Sequence, residues 1–249
     1  VSAWHIAAIF GAGVAAGAIN ALVGSGTLIT FPALLAFGYA PVVANVSNTI
    51  GLVPGSVAGA VGYRRELAGQ RHRAIPLALA SVAGGIAGAA LLLSLPPSAF
   101  KSIVPAFIAV ALVLILAQPR LAAWLGHLRR HPSRRAGPAA TAGVLLSGVY
   151  GGYFGAAQGI MVLSILGLAI DDELQRLNAL KVILTGLVNL VAGVVFVIVA
   201  NVAWAPAGLI AAGSIVGGLL GARYGRRLPP PALRAVIVIV GVIAIVRLV

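Results

Sequence analysis

An all-α polytopic membrane protein built from two inverted repeats is the fold class that this sequence predicts. Three observations predict it. The 249 residues are 61% hydrophobic and only 8% charged, with a mean hydropathy of +1.09, whereas a soluble domain carries about a quarter charged residues. One order of apolar segments (long, short, long, long, long) occurs twice along the chain. The arginines fall between the apolar runs, as cytoplasmic loops of a membrane protein place them.

A span needs roughly 20 apolar residues. The first half offers such runs at 3–23, 43–63, 74–95 and 99–117, and the second at 138–154, 177–200, 204–222 and 232–249. These make about eight long spans. The run from Trp4 to Val23 is long enough to cross and lacks a basic leader, so it is expected to be a span and not a cleaved signal. Residues 28–37 and 159–170 are too short to cross unaided, and are expected as two broken or re-entrant segments. The predicted organisation is a first transmembrane repeat over 1–117, a basic cytoplasmic linker over 118–137, and a second, inverted repeat over 138–249. Landmarks recur between the halves: Gly17 with Gly148, Gly24 with Gly155, and Asn45 with Asn178 at a slightly larger offset.

Orientation follows from the arginines. Placing the linker, with Arg120, Arg129, Arg130, Arg134 and Arg135, in the cytoplasm also brings Arg64, Arg65, Arg71 and Arg73 inside. Arg223, Arg226, Arg227 and Arg234 then fall inside too, provided the short segments act as returning arms. Only Lys101 and Arg247 fall on the far side. Each half then has odd parity, and the halves are inverted.

The net charge of +13 does not indicate nucleic acid, because no aromatic stacking platform accompanies it. Zero Cys excludes disulfides, thiol catalysis and cysteine-bound metals. The four carboxylates, Glu66, Asp171, Asp172 and Glu173, and the four histidines lie in loops or at segment ends. No span therefore carries a conventional proton relay or cation site, and an enzyme acting on lipid phosphate would lack its base and metal ligands. No catalytic residue, metal or cofactor is expected.

What the spans do carry is polar clusters at glycine breaks. Paired interrupted segments at matching positions of two halves point to a transporter's substrate site. Gly24-Ser25-Gly26-Thr27 precedes the first short segment, and Gly155-Ala156-Ala157-Gln158-Gly159 the second. A half-helix start exposes free N–H groups at the positive end of its dipole and binds anions. Ser25, Thr27 and Gln158 add donors, and Asn20 lies one turn earlier. The competing reading is that small residues only let helices pack. Asn45, Ser47, Asn48 and Thr49 form the densest polar cluster in any apolar run; an N-cap at Asn45 or Ser47 would explain one of them, not four. Asn178, Lys181, Thr185 and Asn189, at spacings of three, four and four, share one helix face. Lys181 is the one basic residue inside a long apolar run, either a functional group or a lysine snorkelling to the headgroups.

The chain resembles the sulfite exporter TauE/SafE family of membrane transporters over essentially its whole length. Gly24-Ser25-Gly26 with Pro32-Ala33-Leu34-Leu35, the stretch from Ala44 to Leu67, Leu177-Asn178-Ala179-Leu180-Lys181 and Gly217-Gly218-Leu219-Leu220-Gly221-Ala222-Arg223 carry the resemblance. It implies export of a small sulfur-containing anion, such as sulfite or an organosulfonate, across a bacterial inner membrane. The substrate-binding residues expected are Asn20, Gly24, Ser25, Gly26, Thr27, Asn45, Ser47, Asn48, Thr49, Gln158, Gly159, Asn178, Lys181 and Asn189. Alternating access is the expected mechanism, with a passive anion channel as the alternative. Proton coupling through Lys181 and a homodimer are further options.

Overall fold

The computed structural model describes residues 3–128 and 137–224, together with positions 235, 238, 239 and 242. Most of the expected last span and residues 129–136 of the basic linker lie outside the described residues. Those residues form nine helices and no strand: α1 (Ala3–Leu22), α2 (Thr27–Ala36), α3 (Pro41–Gly62), α4 (Arg71–Ser94), α5 (Pro97–Leu128), α6 (Pro138–Tyr153), α7 (Gln158–Ala169), α8 (Leu174–Val199) and α9 (Trp204–Tyr224).

Two boundaries correct the sequence reading. Helix α5 does not stop at residue 117 but continues to Leu128, through Gln118, Pro119 and Arg120, so the expected linker starts as helix. Helix α3 starts at Pro41, with Ala40 as its N-cap and no side-chain capping bond. Proline's fixed φ and missing N–H suit that first position. Asn45 and Ser47 are therefore interior residues of α3, and the capping explanation for them fails.

Among the described residues, five helices are long and apolar enough to cross a membrane: α1, α4, α5 as far as Ala117, α8 and α9. Helix α6, at 16 residues, is shorter than a span needs. Helix α3 has the length, but its buried Asn45, Ser47, Asn48 and Thr49 dilute its apolar character.

The two short helices fold back along their long partners. His5 near the start of α1 meets Phe37 beyond the end of α2, ring centroids 4.8 Å apart. In the second half Gly143, early in α6, faces Ile165, late in α7. Helix α1 packs closely on α9 through Gly13 and Gly17, which face the backbone of Ile210 and Ser214, and α4 packs on α6 through Gly84 and Gly88. In a bilayer, where lipid is as apolar as leucine, helices associate through such close approach rather than through a hydrophobic drive. Each half thus packs its first helix on the fourth helix of the other half. Phe31 of α2, Phe100 and Phe107 of α5, and Tyr150, Tyr153 and Phe154 at the end of α6 form an aromatic cluster around the second break.

Candidate functional site

The breaks are built alike. Helix α1 ends with the N–H groups of Val23 and Gly24 both donating to the Ile19 carbonyl, at 2.7 and 3.0 Å. Helix α6 ends with Phe154 and Gly155 donating to the Tyr150 carbonyl, at 2.9 and 3.2 Å. Gly24 and Gly155 are left-handed, at φ +80° and +79°, the usual device for stopping a helix. Ala157, just before α7, is also left-handed at φ 59°. An alanine there costs about 1–2 kcal/mol, and such strain collects at functional sites.

The two breaks meet. The Gly159 N–H donates to the Gly24 carbonyl at 3.0 Å, so the start of α7 joins the end of α1, backbone to backbone. The carbonyls freed by each break are held by an asparagine of the other half. Asn178 Nδ2 of α8 donates to the Ala21 carbonyl at 3.1 Å. Asn45 Nδ2 of α3 donates to the Tyr153 carbonyl at 3.0 Å. One turn on, the counterparts differ. Lys181 Nζ donates to the carbonyls of Asn20 at 3.1 Å and Ala21 at 3.3 Å. Asn48 instead binds the start of α2, donating from Nδ2 to Thr27 Oγ1 at 3.2 Å and accepting from the Thr30 hydroxyl.

Lys181 is fully buried, so it does not snorkel towards headgroups. Its stem lies against Gly159, where an added Cβ would stand 3.0 Å from Lys181 Cδ. Ser25 Oγ, Gln158 Nε2, Tyr153 Oη, Asn45 Oδ1 and Asn178 Oδ1 are buried without a hydrogen-bond partner among the described residues. Unsatisfied buried polar atoms are uncommon enough to call for a ligand, a water or a role. These five belong to the breaks or to the side chains and helix end that hold them; a sixth such atom, Ser147 Oγ, lies earlier on α6.

Other expected site residues are engaged elsewhere. Ser47 Oγ accepts the Ala203 N–H at 2.9 Å and so ties α3 to the α8–α9 connection. Thr49 donates to the Asn45 carbonyl within α3. Asn20 donates from Nδ2 to Ser56 Oγ at 3.4 Å, and only its backbone reaches Lys181. Asn189 is half-buried, two turns beyond Lys181. Gly26 packs under Ala16 and Asn20. Tyr153, whose buried hydroxyl and carbonyl both belong to this region, is missed by the sequence reading. Nothing in its spacing separates it from the tyrosines common at membrane interfaces.

This pairing of interrupted helices is accompanied by a match in family. The family model described as Sulfite exporter TauE/SafE matches residues 9–248. The chain belongs to that family. A probable membrane transporter protein, ORF9, of Sinorhizobium sp is 29% identical over 248 residues, covering 99% of this chain and 93% of the relative. The probable membrane transporter protein YfcA of Escherichia coli strain K12 is 27% identical over 229 residues, covering 92% and 82%. A probable membrane transporter protein of Haemophilus influenzae is 26% identical over 238 residues, covering 94% and 90%. No solved structure matches the chain. As a TauE/SafE family member the protein is a multi-pass membrane transporter, with the bilayer and a small molecule as its partners.

Proposed function

We propose that this TauE/SafE member exports a small oxyanion, sulfite or an organosulfonate, by alternating access at the meeting point of the two breaks. The observation that carries this reading is the Gly159–Gly24 contact with Ser25 Oγ and Gln158 Nε2 buried and unpartnered beside it. A hydroxyl donor just before α2 and an amide donor in the first turn of α7 suit an oxyanion. The inverted-repeat reading draws support from the reciprocal asparagine bonds and from the matched packing of α1 on α9 and α4 on α6. Such repeats place a site between broken helices near the midplane.

The test is flux in proteoliposomes. Ser25→Ala and Gln158→Leu are each expected to weaken substrate binding by about 1.5–3 kcal/mol, the worth of a hydrogen bond to a charged group, with unchanged unfolding temperature. Saturable, gradient-driven flux supports a carrier, and a large unitary conductance would make the protein a channel. Sulfite flux indifferent to both substitutions would remove the site from the breaks. Proton coupling through Lys181 belongs to the same proposal, and an unchanged pH profile in Lys181→Gln would end it.

The proposed orientation puts the α3–α4 and α7–α8 connections in the cytoplasm of a bacterial inner membrane, as the arginine bias favours. Cysteines placed at Ser98, at the start of α5, and at Ser133, outside the described residues, are expected to label from opposite sides with an impermeant reagent. Equal labelling from one side would overturn this topology.

A further inference from the structure

The charges around the breaks specify more than an anion. Lys181 is fully buried and, among the described residues, bonds only backbone carbonyls, those of Asn20 and Ala21. The chain has four carboxylates in all, Glu66, Asp171, Asp172 and Glu173, and all lie in the α3–α4 and α7–α8 connections, outside the helices. The lysine therefore has no carboxylate counter-ion inside the bundle. Helix ends supply only part of one. The end of α1, whose Asn20 and Ala21 carbonyls take two of the ammonium protons, brings only about half a negative charge. With the lysine protonated, the site keeps a net positive charge of less than two units and has no carboxylate to balance it.

A buried charge is costly unless it is paired. One bound negative charge neutralises the site, whereas a second would stand uncompensated in a low-dielectric interior. At the two breaks Ser25 Oγ and Gln158 Nε2, in residues at least 97% buried, offer unpartnered donors, and the ammonium has a third proton beyond its two carbonyl bonds.

We infer that the break site takes a monovalent oxyanion. Its ligand is a sulfonate or the protonated hydrogen sulfite, and the doubly charged sulfite and sulfate are excluded by charge. This rests on the anion reading above and narrows it. Lys181 supplies the matching charge, and Ser25 and Gln158 supply donors to the oxygens.

The probes are methanesulfonate, a permanent monoanion, and sulfate, a dianion, titrated at equal ionic strength into the purified full-length protein. Methanesulfonate is expected to bind at least about tenfold more tightly than sulfate, a difference of roughly 1.4 kcal/mol. Lys181→Met is expected to lose methanesulfonate binding, and Lys181→Arg, which keeps the charge, to retain it more weakly. Should Lys181→Met fail to fold, the wild-type preference and the Arg variant still decide. Sulfate binding as tightly as methanesulfonate, with the same dependence on Ser25 and Gln158, overturns the charge inference and leaves the anion site standing. Methanesulfonate binding unchanged in a folded Lys181→Met also overturns it. If neither anion binds the wild-type protein, the anion reading falls and this inference with it.

Discussion

Gly24→Ala is expected to abolish transport and to destabilise the protein by roughly 2–5 kcal/mol. Two penalties add. Gly24 sits at φ +80°, where an L-residue loses about 1–2 kcal/mol. The new Cβ would also fall onto the Gly159 Cα, well inside any real contact. The obstacle is backbone on the opposing break, which cannot rotate away as a side chain could. Overpacking of this kind costs about 1–3 kcal/mol. The only relief is to part the two breaks, which lengthens the Gly159 N–H bond to the Gly24 carbonyl and moves α7 off the Lys181 stem.

Gly38→Ala is the control. Gly38 has nearly the same backbone, φ +84°, but nothing lies within 4 Å of its added Cβ. It is expected to show the backbone penalty alone, about 1–2 kcal/mol, with transport retained. The readouts are the unfolding midpoint in detergent and flux in proteoliposomes. If Gly24→Ala and Gly38→Ala behave alike in both, the breaks do not depend on close contact, and the site built from them is wrong.

The contrast shows which parts of this molecule the sequence made legible. A glycine, serine or glutamine inside an apolar run cannot hide, so both breaks and the polar faces of α3 and α8 were visible. The partners of those faces were not. Asn45 and Asn178 each bond a carbonyl more than 100 residues away in the chain, and no local periodicity carries that information. The reversal of direction at α2 and α7 was readable from the arginine bias, whereas segment length does not separate an arm that crosses from one that re-enters. The end of α5 was misplaced because Gln118, Pro119 and Arg120 have the composition of a loop. Proline and polar residues are tolerated in a membrane-protein helix when neighbouring groups satisfy the backbone. The charged connections were read only as topological markers, although one charge there is deeply buried.

That charge is Arg73, 5% exposed in the first turn of α4, and Asp172→Ala is expected to cost about 3 kcal/mol by stranding it. Arg73 pairs with the Asp172 carboxylate, which also takes Arg176 Nε at 3.0 Å. Gln70 completes the knot: its Oε1 accepts Arg73 Nε at 2.9 Å, and its Nε2 donates to the Arg176 carbonyl at 3.0 Å. The α3–α4 connection is thereby fastened to the α7–α8 connection, one half of the chain to the other. Burial by itself would raise the Asp172 pKa. The hydrogen bonds from Arg73, the Glu173 N–H and Arg176, with the Arg73 charge, outweigh that and hold it below the ordinary 3.8. A carboxyl depressed in the fold contributes stability that is fully present above its unfolded value, and loses it as pH falls through the folded one. Thermal unfolding of wild type and Asp172→Ala should therefore differ by a constant amount from pH 8 to about 5. The gap should close below about pH 4, as the wild-type carboxylate takes up its proton. Arg73→Ala in the Asp172→Ala background should then add little, since the charge left stranded is gone. Equal stability of wild type and Asp172→Ala at pH 7, or a gap that widens on acidification, would show that the knot does not hold the two halves together.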